Sequence, residues 1–153
     1  MIKSYIYILI LTFFLNGCGF TPLYQNNKNL SFSINVINTS GDRKVNEAIK
    51  SNLKRYSQKS GNKKNYEANI KSEIIEQIIS KNKTGVISQI KLILKVNFNL
   101  INENEDIQFE FSEEFNIKKT NNIIDDNFYE NQVKENMGNS VSEKLIFEIS
   151  KLE

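Results

Sequence analysis

The sequence predicts an α+β fold in which one four-stranded, mostly antiparallel sheet carries two helices on one face, in the order β-α-β-β-β-α. Four segments alternate apolar and polar residues with a period of two, which is typical of strands buried on one side only. Two other segments repeat apolar residues every three or four positions, which is typical of amphipathic helices. The chain of 153 residues is long enough for one such domain.

The first strand and the first helix are predicted between residue 30 and residue 61. Apolar residues alternate with Ser31, Ser33 and Asn35 in the strand. Ser40 or Asp42 suits the N-cap of the following helix, and Gly61 is its expected end. The apolar residues of that helix are Val45, Ala48, Ile49, Leu53 and Tyr56.

Three long alternating segments follow and predict a β-meander with one face covered and the other exposed to water. Turn-forming residues separate them at 81–85 and 102–106. The residues predicted on the covered face are Tyr66, Ala68, Ile70, Ile74 and Ile78, then Val86, Ile90, Leu92, Leu94, Val96, Phe98 and Leu100, then Ile107, Phe109, Phe111, Phe115 and Ile117.

A long helix is predicted from about Asp125 to Leu152, with an apolar stripe long enough to cover a sheet. Asp125 and Asp126 suit the positive N-terminal end of this helix. Gly138, inside the stripe, is expected to mark a kink or a close contact. The stripe consists of Tyr129, Val133, Met137, Val141, Leu145, Ile149 and Leu152.

The composition argues against catalysis. The chain has no histidine and a single cysteine, so it lacks the usual base near neutral pH and any His/Cys set for a transition metal. The acidic residues at 103, 105 and 106 do not follow a calcium-loop pattern and are interpreted as a solvated turn. A net charge of +2 does not indicate nucleic acid as a partner. We expect no enzymatic activity, no metal and no cofactor.

The N-terminal segment predicts a lipid-anchored protein. Residues 1–17 have a basic start and an eleven-residue apolar run, which fits a secretory signal and is too short to span a membrane. Leu15-Asn16-Gly17-Cys18 resembles the bacterial lipobox, in which the cysteine sulfur takes a diacylglyceryl group and the amine an acyl chain. Gly19 is not the aspartate that commonly retains lipoproteins at the inner membrane, so the outer membrane is the expected location. Residues 18–29 are then a lipidated tether, and residues 30–153 are the folded domain.

Basic side chains on the water-exposed face are candidate contacts for a phosphate-bearing lipid or an acidic partner. Lys71, Lys91 and Lys95 fall on that face of the predicted strands. The alternative is that carboxylates on the same face, such as Glu73 and Glu114, pair with these lysines across the strands.

The string Cys18-Gly19-Phe20-Thr21-Pro22-Leu23-Tyr24 resembles the start of the LptE family of lipopolysaccharide-assembly lipoproteins, in its alphaproteobacterial type. The order of predicted elements is similar to that family over the whole mature chain. The resemblance implies a protein on the periplasmic side of the outer membrane that assembles with the LptD β-barrel, plugs it and assists lipopolysaccharide transport. It makes Cys18 the lipid site. Lys71, Lys91 and Lys95 are candidate contacts for lipopolysaccharide or the barrel on the basis of their charge and their position in the strands, and the resemblance does not supply them. The alternative is another outer-membrane lipoprotein that binds lipid or peptidoglycan without a barrel partner.

Overall fold

The computed structural model describes residues 32–57, 64–120 and 122–152, and in these ranges the predicted order of elements is confirmed. Cys18, the proposed signal and tether at 1–17 and 18–29, and Gly61 lie outside the described residues. No helix within the described ranges has the length and hydropathy needed to cross a membrane. The elements are β1 Phe32–Ser40, α1 Arg43–Leu53, a short 3-10 turn Lys54–Tyr56, β2 Lys64–Lys81, β3 Ile87–Ile101, β4 Asp106–Lys118 and α2 Ile123–Lys151.

The four strands form one open sheet in chain order, β1-β2-β3-β4. β1 runs parallel to β2, from Phe32 opposite Lys64 to Ser40 opposite Lys71, so the connection through α1 is a β-α-β crossover. The pairs β2–β3 and β3–β4 are antiparallel. The sheet is therefore mixed and mostly antiparallel, as predicted.

The core lies between one face of the sheet and the two helices. The alternating apolar residues of β3 from Ile90 to Leu100 are all buried, which confirms the period-two pattern of this strand. Helix α1 contributes Val45, Ile49 and Leu53, whose side chains are at most 1% exposed. Helix α2 contributes the predicted stripe over its middle part, Val133, Met137, Val141, Leu145 and Ile149.

The two helices are in close contact at Gly138, which is the second of the two roles predicted for this position. A Cβ atom on Gly138 would lie 2.9 Å from the carbonyl oxygen of Val45 and 3.0 Å from the Cβ of Ala48. Asn52 at the end of α1 also donates from its side chain to the backbone carbonyl of Asn139 at 3.3 Å. A glycine is needed here because any side chain would force the helices apart.

The beginning of each helix agrees with its sequence, whereas the end of α1 does not. The Asp42 carboxylate accepts from the Val45 N–H at 3.1 Å, so Asp42 is the N-cap. Asn122 caps α2, with Asp125 and Asp126 in its first turn. The prediction that α1 continues toward Gly61 was wrong, because the chain tightens into a 3-10 turn after Leu53. That turn places the ring of Tyr56 against Phe32 in a stacked arrangement, with centroids 6.4 Å apart.

Several residues predicted on the apolar surfaces are exposed instead. Ile78 and Phe115 are 50% and 42% exposed, and Val86 lies in an exposed turn. The last residue of β1, Ser40, lies opposite Lys71 of β2, and α1 follows directly after β1. The part of β2 after Lys71 therefore extends beyond β1 and α1. Sequence periodicity marks which side of a strand is apolar, but not where the covering element stops. For the same reason Tyr129 and Leu152, at the two ends of α2, remain exposed.

A group of charged side chains joins the start of α1 to α2. The Lys134 Nζ lies 3.5 Å from the carboxylate of Asp42 and 3.1 Å from that of Glu130. The Lys119 Nζ lies 2.9 Å from the other carboxylate oxygen of Glu130. Burial alone would raise the pKa of Glu130, but the hydrogen bonds and charges of the two lysines outweigh it and lower that pKa. Burial likewise opposes protonation of Lys134, yet its acidic partners raise its pKa.

Replacing Gly41 with alanine should destabilise the fold far more than the same change at Gly85. Both glycines have positive φ, +100° and +84°, so both variants carry the backbone cost of about 1 kcal/mol. A Cβ on Gly41 would also fall 1.7 Å from the backbone oxygen of Ser72, whereas Gly85 has open space around it. Urea unfolding followed by circular dichroism measures both variants. Equal losses of unfolding free energy would show that the Gly41 contact with β2 does not constrain the fold.

The stabilising effect of Glu130 should disappear in acid. The pKa of Glu130 is lowered in the folded protein, so its contribution to the free energy of unfolding is fully present above pH 4.5, the ordinary pKa of a glutamate. That contribution is lost as the pH falls through the lower pKa of the folded state. Glu130→Gln should therefore be less stable than the parent at about pH 7, and the difference should shrink toward about pH 3. Glu143→Gln, an exposed site on the same helix, is the control. A difference in unfolding free energy that stays constant across this pH range would contradict the account.

Candidate functional site

The face of the sheet turned away from the helices, named here the open face, carries polar side chains from all four strands. Neither helix covers this face, because α1 and α2 both pack on the opposite side. Its residues in β2, β3 and β4 are Glu67, Asn69, Lys71, Glu73, Ile75 and Gln77, then Gln89, Lys91, Ile93, Lys95, Asn97, Asn99 and Ile101, then Asp106, Gln108, Glu110, Ser112, Glu114, Asn116 and Lys118.

The three lysines predicted for this face all lie on it. Lys71 is opposite Asn97, and Lys95 is opposite Glu73, so Lys71 and Lys95 are diagonal neighbours about 7–8 Å apart. Lys91 is four residues from Lys95 along β3, a separation of about 13 Å. The structure therefore brings two of the three close together and leaves the third apart.

Their ion pairing differs as well. The Lys91 Nζ lies 2.9 Å from the Glu114 carboxylate across β3 and β4, which matches the alternative in which lysines pair across strands. Lys71 and Lys95 form no ion pair with any residue in the described ranges. Both are exposed, and their ammonium groups are available to a partner.

A row of four amide side chains crosses the open face, one from each strand. Asn38 is opposite Asn69, Asn69 is opposite Asn99, and Asn99 is opposite Gln108. We name these four residues the amide row. The sequence places Asn69 among the polar residues of its strand but does not reveal the row, because the register between strands depends on loops and on the irregularity between Val36 and Asn38 in β1.

The amide row lines a groove on the sheet. The groove extends from β1 to β4 and is lined on one side by the next row across the sheet, Ser40, Lys71, Asn97 and Glu110. Lys71 is thus one of the residues that line the groove, whereas Lys91 and Lys95 are not.

Two further features of the sheet were missed from the sequence. Ile75 and Ile93 are opposite each other on the open face, so this face is not entirely polar. Glu113 lies on the covered face, where it accepts a hydrogen bond from Ser140 and lies 2.8 Å from the Lys144 Nζ. Strict alternation places Glu113 with the apolar residues of β4, and only its helical partners make that position acceptable for a carboxylate.

Comparisons with solved structures show that this fold is shared with bacterial lipoproteins. The rare lipoprotein B of Shewanella oneidensis superposes with a TM-score of 0.56 at 11% identity, over 77% of this chain and 96% of that one. An uncharacterised lipoprotein B of Nitrosomonas europaea gives 0.53 at 10% identity, over 81% and 88%. A minor lipoprotein of Acinetobacter baumannii gives 0.52 at 12% identity, over 76% and 92%.

No family model matches the chain, and no curated protein matches it. At sequence identities of 10–12%, the likeness to the three lipoproteins establishes the fold. The chain therefore shares the α+β fold of these lipoproteins. In the described residues of this chain, two helices lie on one side of a mixed sheet and neither covers the other side.

Proposed function

We propose that this protein is an outer-membrane lipoprotein of the LptE type, which assembles with and plugs an LptD-type β-barrel and assists lipopolysaccharide transport. One observation carries the proposal. The string Cys18–Tyr24, which resembles the start of LptE, precedes a domain whose fold is shared with three solved bacterial lipoproteins. Neither the string nor the fold alone specifies the function, but the two come from independent parts of the chain.

The lipid on Cys18 holds the protein to the periplasmic side of the outer membrane. A thioether-linked diacylglyceryl group and an N-acyl chain bury many methylene groups, each contributing about 0.8 kcal/mol. Three chains of this kind anchor a protein stably without a membrane-spanning helix. The tether at 18–29 lets the domain reach away from the membrane surface to a partner.

The open face suits the water-filled interior of a barrel. Barrel interiors are polar, and a plug that faces one needs side chains that form hydrogen bonds without adding a large net charge. Amides and alternating charges such as Lys91 with Glu114 have this property. We propose that the open face is directed toward the barrel wall, while the helices keep the core closed.

Lys71 and Lys95 are the stronger candidates for lipopolysaccharide contacts, and Lys91 is the weaker one. Lipid phosphates attract exposed ammonium groups, and a free lysine gives up no existing partner on binding. Lys91 would have to leave Glu114, which lies 2.9 Å away. The proposal therefore predicts an unequal contribution from the three lysines.

Co-purification distinguishes the barrel proposal from the alternative, a lipoprotein that binds lipid or peptidoglycan without a barrel. An affinity tag at the C-terminus of the full chain should recover a large outer-membrane barrel from detergent-solubilised envelopes. Recovery of the lipoprotein alone, together with normal surface lipopolysaccharide after its depletion, would contradict the barrel proposal and favour the alternative.

Cys18→Ser should abolish lipid attachment, because an oxygen cannot form the thioether that lipidation requires. Metabolic labelling with a radioactive or clickable fatty acid measures this directly. The control is Ser4→Ala in the signal segment, which leaves the thiol in place and should label like the parent. Labelling of the Cys18→Ser variant would place the lipid elsewhere and refute the anchor.

Reversing the charge of the two unpaired lysines should weaken binding to lipopolysaccharide. Lys71→Glu with Lys95→Glu is expected to reduce affinity by at least about ten-fold, since each lysine near an anionic lipid contributes on the order of 1 kcal/mol. The matched control is Lys50→Glu with Lys54→Glu, which changes the net charge equally but lies on the helix side of the molecule. Binding is measured on immobilised lipopolysaccharide at fixed salt. Equal losses in both double variants would show that only net charge matters.

A further inference from the structure

The outer edge of β2 is unpaired over the second half of the strand. β1 pairs with β2 only as far as Lys71, and the backbone oxygen of the next residue, Ser72, lies against Gly41. From Glu73 to Lys81 no strand in the described ranges lies beside β2 on that side, whereas β3 pairs with it on the other side up to Lys81. We name residues 73–81 the free edge. Because the backbone groups of an unpaired edge can bond to a further strand, the free edge is a place for strand addition.

The free edge carries isoleucine on both faces of the sheet. Ile75 belongs to the open face, and Ile74 and Ile78 belong to the face that carries the core. Ile75, Ile78 and Ile79 are between 37% and 50% exposed. Natural edge strands are usually protected from pairing by lysine or proline. The free edge has no proline, and its only lysine is its last residue, Lys81.

The other two outer strands of the sheet have features that discourage pairing with a second copy. β1 contains an irregularity between Val36 and Asn38, and such irregularities disturb the regular edge that a new strand needs. β4 carries carboxylates along its length, and these would repel one another if two copies met there. The carboxylates of β4 belong to Asp106, Glu110, Glu113 and Glu114. The free edge of β2 is therefore the best candidate for self-association among these strands.

The limits of the free edge determine how a second copy fits against it. Gly41, beside Ser72, blocks the edge at one end, and the strand ends after Lys81 at the other. Two antiparallel copies of the edge overlap completely only when they are centred on its midpoint, Gln77. A twofold axis perpendicular to the sheet at Gln77 produces this pairing and keeps the open faces of both copies on the same side.

The same register brings complementary side chains together. It places Glu73 of each copy opposite Lys81 of the other, and Ile75 opposite Ile79. The pairing of β2 with β3 slips near Ser80 and is restored at Lys81, so the strand keeps its register up to its end. Neither Glu73 nor Lys81 forms an ion pair in the part of the chain that the structure describes, so both charges are available. Moving the centre by one residue in either direction loses both pairings.

We propose that two copies of this protein associate through the free edge of β2, in antiparallel register centred on Gln77, to form one continuous sheet. The occupant of the edge is a second copy because the length and the charges of the edge complement themselves. The association removes from water the isoleucines that a single chain leaves exposed. It needs no barrel partner, so the inference goes beyond the proposed function and does not rest on it.

Disulfide trapping of the purified full chain in detergent micelles tests the register. Opposite residues of an antiparallel pair have Cα atoms about 4.5–5.5 Å apart, a distance that a disulfide spans. Gln77→Cys should therefore form a covalent dimer under mild oxidation. Glu73→Cys and Lys81→Cys should each form little dimer alone and a covalent dimer when mixed. The parent chain gives the background from Cys18, and Gln108→Cys, an exposed position on β4, gives the background from random collision.

A charge exchange tests the same interface by affinity. Glu73→Lys should weaken dimerisation by at least about ten-fold, because it places two cations opposite each other at both ends of the paired edge. Adding Lys81→Glu exchanges the two charges and should restore most of the lost affinity. Glu110→Lys makes the same charge change on β4 and should keep the affinity within about two-fold. Sedimentation velocity in density-matched detergent measures the dimer, and circular dichroism checks that every variant folds.

Three results would overturn the proposal. The first is a monomer at every concentration at which the purified chain stays soluble, and the second is equal trapping at Gln77 and Gln108. The third is a Glu73→Lys defect that Lys81→Glu does not repair. In whole envelopes, an adduct of Gln77→Cys with a different protein and none with a second copy would assign the free edge to that protein and also contradict the dimer. The purified chain contains no barrel, so failure of this inference and failure of the proposed function are distinguishable.

Discussion

The alternating residues of β3 from Ile90 to Leu100 all turn to the same side of the sheet, and none is more than 1% exposed. Because strand side chains alternate between faces, this one-sided burial gives the sheet a single apolar face. Both helices must cover that face, since either helix on the other side would leave part of it in water. The close approach at Gly138 follows, because two helices have to fit over one narrow sheet.

Among the described residues, the same constraint leaves the second face of the sheet without a covering helix. The helices, their caps and the charged group around Lys134 stabilise the covered side. On the open side, few residues are needed for packing, so polar side chains can be placed there at little cost to stability. The open face accordingly carries mostly hydrogen-bonding and charged side chains on the three strands β2, β3 and β4.

Much of the fold could be predicted from periodicity, whereas most of the site could not. The strands, the helices, the Asp42 cap and the close contact at Gly138 depend on local patterns, which a single sequence contains. The amide row depends on the alignment of four strands, and that alignment is set by turn geometry and by the irregularity in β1. The exposure of Ile78 and Phe115 depends on where β1 and the helices end, which no property of β2 or β4 encodes.

We propose, as the centre of this account, that the open face is directed toward the wall of an LptD-type barrel in the outer membrane. The most direct measurement is photocrosslinking in living cells, with a photoreactive amino acid placed at Ser112 or Asn116 on that face. The account predicts a covalent adduct with the mass of this lipoprotein plus a large outer-membrane barrel, identified by mass spectrometry. If the lipidated protein is present and neither position yields an adduct containing a barrel, the central claim is contradicted.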